Sequence, residues 1–162
     1  MGTPTTIPGE VRPESDCPDG ASLVTLHYHR TFTLPVGTVW SMFASPEGLD
    51  EWFGTYTGDP ASGRVRLTTH DDVDSATTDV RILRCAPPTA LAVDLDGWLL
   101  EIALRASGPV TALEFRHRHV PRSEVGEVGP GWQYYLDRLD AALRHVRPPR
   151  WLDYLDLVDE YR

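Results

Sequence analysis

The chain contains no lysine; all 15 of its basic residues are arginine. That pattern reads as a trace of GC-rich codon usage and excludes no function by itself. Basic charge is scarce against 24 acidic residues, and the formal net charge is -9. Such a balance argues against non-specific nucleic-acid binding and against attraction to an anionic membrane. Cysteine is nearly absent: Cys17 and Cys85 make no disulfide framework. No apolar run approaches the ~18 residues of a membrane-spanning helix. No basic-then-apolar leader marks the N-terminus, so the expected location is the cytoplasm. A Gly-x-Ser-x-Gly elbow, a P-loop and a dinucleotide fingerprint are all missing. Ser, His and Asp occur, but nothing marks a triad. No cofactor is expected.

What remains describes one ordinary globular domain. The 162 residues suffice for a real core, and 41% hydrophobic with 24% charged residues is a soluble balance. Residues 1–21 carry Pro4, Pro8, Pro13 and Pro18 among Gly, Thr and acids. They bury too little apolar surface to offset ordering, so a disordered tail is expected. The domain proper is expected over 22–147, with 148–162 as an extension packed back on it through Trp151, Tyr154, Leu155, Val158 and Tyr161.

Residues 23–33 alternate, with Val24, Leu26, Tyr28, Arg30 and Phe32 on one face and His27 and His29 on the other. Pro35 stops this strand. Val39, Trp40 and Phe43 have helical spacing over 36–44. Ser45-Pro46 is a cap followed by proline at the first helical position, which starts a second short helix running to about Trp52. Five strands are expected at 64–70, 77–85, 90–95, 98–105 and 110–119. Asp96-Gly97 joins two of them as a hairpin. Trp132, Tyr135, Leu136, Leu139 and Leu143 then form the apolar stripe of the only long helix, expected over 129–147.

Several motifs occur in a telling order: Phe32-Thr-Leu-Pro35, Val39-Trp40, Pro46 followed by Trp52-Phe53-Gly54, Pro87-Pro88 before Leu91, and Gly129-Pro-Gly-Trp132. Together they resemble the START-like (SRPBCC) superfamily. Within it they look most like the branch related to the C-terminal domain of the heat-shock-protein ATPase activator. The resemblance implies an α+β helix-grip fold. In it a curved antiparallel sheet wraps one long C-terminal helix, with two short helices after the first strand. It also implies a cavity between the sheet and the long helix for a small hydrophobic or aromatic molecule, since holding one is the commonest use of this fold. The same superfamily holds cyclases, hydrolase-like enzymes and co-chaperone domains. An enzyme of the polyketide-cyclase or hydrolase-like kind and a protein-interaction module therefore stand as alternatives, and a homodimer is compatible with each.

The candidate ligand contacts divide by element. Trp40, Phe43, Trp52 and Phe53 come from the short helices, Trp98 and Phe115 from strands, and Trp132 and Tyr135 from the long helix. The plain alternative is that these aromatics fill the core. Tyr28, Arg30 and His117 are polar groups on inward faces. His117 offers a hydrogen bond or a proton-transfer group; otherwise it is a core histidine bonded to a backbone carbonyl or to Tyr28. Arg30 either anchors a ligand carboxylate or pairs with Glu47, Asp50 or Glu51. The pairs His27/His29 and His117/His119 invite a metal site. Alternation turns them to opposite faces unless a bulge intervenes, so no metal is expected. Asp71, Asp72 and Asp74 read as a solvated turn.

Overall fold

A computed structural model describes residues 9–13, 23–69, 77–150 and 154. Its sheet has eight strands: β1 (Glu10–Pro13), β2 (Leu23–Phe32), β3 (Gly54–Thr57), β4 (Arg64–Thr69), β5 (Thr77–Ala86), β6 (Ala90–Leu95), β7 (Trp98–Ser107) and β8 (Val110–Pro121). All neighbours pair antiparallel, in the order β1-β2-β8-β7-β6-β5-β4-β3. Helices α1 (Val36–Ala44) and α2 (Pro46–Asp50) connect β2 to β3, and α3 (Val125–Arg144) follows β8. The result is the expected α+β helix-grip arrangement.

Local chemistry explains the joints. Asp96 and Gly97 both take positive φ, 50° and 95°, which is the type I′ geometry that suits a two-residue hairpin. The Asp94 carboxylate accepts a hydrogen bond from the Gly97 amide at 2.8 Å and holds that turn. Inward positions of β2 and β8 supply Val24, Leu26, Leu113 and Phe115 to the core. From α3, Trp132, Leu136, Leu139 and Leu143 join them, as their spacing predicts.

Four expectations need correction. Residues 10–13 of the predicted disordered tail form β1, because Val11 packs against the core while Glu10 and Arg12 stay exposed. Apart from Gly9, the rest of that tail, Cys17 included, lies outside the described residues, as do Asp71, Asp72 and Asp74. A short strand, β3, follows Trp52-Phe53 where no strand was predicted. Helix α3 begins at Val125 rather than 129 and carries Pro130 inside it. Burial of Val125 draws the chain into helix before the Gly-Pro-Gly run. The helix ends at Arg144, where His145 takes left-handed φ and caps it. Of the expected C-terminal extension, residues 148–150 and Tyr154 are described. Tyr154 is buried, and its hydroxyl donates to Asp137 at 2.6 Å.

Candidate functional site

The two short helices build one wall of a cavity. Ser45 closes α1 and caps α2, its hydroxyl accepting from the Gly48 amide at 3.0 Å, with Pro46 next in the first turn. The Trp52 indole donates to the Met42 carbonyl at 2.8 Å and ties the end of α2 to α1. Phe53 stacks on Trp132 of α3, ring centres 5.7 Å apart. Gly54 must lack a side chain, because a Cβ there would sit 2.3 Å from the Thr68 carbonyl oxygen. The Trp-Phe-Gly run thus pins, faces inward and admits β3 in turn.

The cavity holds about 200 Å³. Trp40, Phe43, Trp52 and Phe53 line one side. Strands β4–β7 line the other with Val65, Leu67, Val80, Val93 and Ile102, and Phe115 and Trp132 close the end. Its polar atoms are mostly spoken for. The Tyr56 hydroxyl donates to the Ala44 carbonyl, the Trp52 indole to Met42, and the Trp132 indole to Nδ1 of His117 at 2.9 Å. What faces the void is apolar surface, with the Cys85 thiol at one edge. A second recess of about 470 Å³ shares Phe53, Leu95 and Trp132 with the cavity. Trp98, Tyr135, Thr69, Glu124 and Glu127 are among the rest of its lining.

Of the eleven anticipated contacts, six line the cavity: Trp40, Phe43, Trp52, Phe53, Phe115 and Trp132. Trp98 and Tyr135 line the recess instead, and Trp98 is largely exposed. The three polar candidates line neither. Tyr28 packs against Phe115 and donates its hydroxyl to the Gly129 carbonyl at 2.8 Å. Arg30 reaches Asp137 of α3 at 3.4 Å, rather than the acids of the second short helix. His117 accepts from the Trp132 indole, rather than bonding Tyr28 or a carbonyl, and lies against the Trp98 ring. Burial pushes the His117 pKa down to about 4. It is a neutral core imidazole whose Nδ1 is the acceptor, so its proton sits on Nε2.

The cavity also lies elsewhere than expected. Only Trp132 of α3 reaches it; Leu136, Leu139 and Leu143 pack outside it. The strand residues that form its far wall read in the sequence merely as inward core. The signal that would have found them is their position, on the inward faces of strands that no long helix covers.

On the opposite face of the sheet, β2 and β8 carry a second polar group. His27 Nε2 lies 2.7 Å from Oε1 of Glu114. Burial pushes the His27 pKa down, with the Glu114 bond working against it. His117 faces away from His27 and His29 as expected, but a bulge separates it from His119. Opposite Val24–Leu26 the register of β8 slips, and His119 takes φ 59° and turns to solvent while His117 points inward.

Comparison with known proteins agrees with this architecture. Residues 33–144 match the family model for activator of Hsp90 ATPase homolog 1-like proteins. The chain belongs to that family, a branch of the START-like fold. No curated protein matches the chain. Among solved structures, CalU16 from Micromonospora echinospora superposes with a TM-score of 0.73 at 24% identity, covering 94% of this chain and 92% of that one. A conserved protein of unknown function from Enterococcus faecalis gives 0.71 at 15% identity, over 94% and 88%. DynU16, from the dynemicin biosynthetic locus, gives 0.66 at 22% identity over 76% of this chain and 48% of its own. At these identities the likeness is one of fold. No helix among the described residues is long and apolar enough to cross a membrane.

Proposed function

We propose that this protein binds a small, mainly hydrophobic or aromatic molecule in the cavity between the short helices and strands β4–β7. The observation that carries the reading is a half-open cleft of about 200 Å³ lined almost wholly by apolar side chains. A concave apolar site with few polar groups is the usual form of a small-molecule pocket. Shape and chemistry favour a flat apolar body seated between Phe53, Trp132 and the strand side chains. Any larger or more polar portion would rest in the adjoining recess beside Trp98 and Tyr135. Binding is favoured over catalysis because, among the described residues, the cavity walls bring no two free polar side chains together. Proton-transfer chemistry needs such a convergence.

Thermal-shift measurements with aromatic acids, fatty acids and polyketide-like compounds test this. A native-state ligand at a hundredfold excess over its dissociation constant adds about 2.7 kcal/mol of stability. Ala44 lines the cavity, so Ala44→Phe should fill it and remove the shift. The exposed Arg105 lies away from it, so Arg105→Ala should keep the shift. A panel without a single stabilising compound, or hits that persist in Ala44→Phe, would contradict the proposal.

A further inference from the structure

The sheet face turned away from the cavity carries three donor side chains at one point: His27 and His29 of β2 and Glu114 of β8. One donor atom from each lies within 4.8 Å of the other two. Strand geometry makes this meeting rigid. Residues two apart on a strand share a face, and Glu114 stands directly across from His29 in register. Strand β2 is held by β1 on one side and β8 on the other, and β8 is held by β2 and β7. The imidazole rings of His27 and His29 meet edge to face with centres 4.5 Å apart.

His27 is 2% exposed, and its Nε2 already lies 2.7 Å from Oε1 of Glu114. A metal held by all three side chains takes that nitrogen in place of its proton, with Glu114 turning from hydrogen-bond acceptor to ligand. Two imidazoles and a carboxylate within reach of one point are the donor set of a metal centre.

We propose that His27, His29 and Glu114 bind one divalent transition-metal ion, zinc being the ion that suits two imidazoles and a carboxylate. Exposed His29 leaves the remaining coordination positions to water. The third donor comes from the neighbouring strand, not from the His117/His119 pair, so the facing of that pair does not bear on this site. Nearby charges temper it. Arg116 stands across from His27, and Arg12 is ion-paired with Glu10 at 2.8 Å. Glu10 in turn lies across from His27 on β1 and supplies negative charge at the same level. The guanidinium groups weaken attraction for a dication, so the test is set at micromolar metal.

The experiment titrates untagged protein with zinc chloride by calorimetry and with cobalt(II) by visible absorption. One equivalent should bind, and cobalt should develop the bands of a nitrogen- and oxygen-ligated ion. His29→Ala and Glu114→Gln should each weaken binding at least about tenfold. His29 is exposed, so its variant should fold, which circular dichroism verifies. His119→Ala should bind as the wild type does. An absence of saturable binding at 100-fold excess of zinc over protein would overturn the proposal. So would one-equivalent binding that survives His29→Ala, or that is lost in His119→Ala.

Discussion

His117 illustrates how a single side chain is decided by its partner. Alternation along β8 places it inward, and that is legible in the sequence. Its partner, the Trp132 indole, lies 15 residues later on a different element, and no spacing rule announces such a bond. The consequence is measurable. Burial lowers the folded pKa to about 4, against an unfolded value of about 6.5. Between those values the unfolded chain binds the proton and the native protein does not, so stability falls as pH drops from about 6.5 to 4 and then levels. The loss from this group is on the order of 3 kcal/mol. Urea denaturation at pH 7 and at pH 4.5 should show it, and His117→Gln should lose less stability between the two pH values than the wild type. An identical pH dependence in the variant would assign the effect to other groups. Arg30 follows the same logic. Its inward placement is legible, but Asp137 is 107 residues away in sequence and was not among the acids close enough to suggest. His119 was misread because nothing in a histidine codes for left-handed φ; the bulge is a property of the pairing with β2.

At the scale of elements, strong periodicity translated well and weak segments did not. Strands β2, β4, β6 and β7 lie close to their alternation patterns, and α1 and α2 follow their proline and serine signals. Strand β1 has four residues in a proline-rich setting, and β3 follows a helix directly; neither is long enough to show a period. Helix α3 began early because tertiary burial of Val125 outweighs the weak helix propensity of Gly126, Gly129 and Pro130. Its packing face was legible from Trp132, Leu136, Leu139 and Leu143. Leu139 is fully buried in the core outside the ligand cavity. Leu139→Ala should therefore destabilise by about 2–5 kcal/mol in chemical denaturation while leaving ligand affinity of the folded protein unchanged. An unaltered midpoint would mean the stripe does not face the sheet.

For the whole molecule, order of motifs was enough to indicate the helix-grip fold, because aromatic and proline landmarks recur at element junctions. The location of the cavity was not legible. It depends on how far α3 extends across the sheet, and only Trp132 reaches the half that α1 and α2 cover. The sheet carries one proposed site on each face. One holds the apolar void, and the other holds His27, His29 and Glu114. We propose that a small apolar ligand occupies the space between the short helices and strands β4–β7. Isotope-filtered nuclear Overhauser spectroscopy on a complex with a thermal-shift hit tests it most directly. Contacts from the ligand to the methyl groups of Val65, Val80 and Ile102 are expected. Contacts confined to Leu139 and Leu143, or to the exposed Leu83 and Val146, would contradict it.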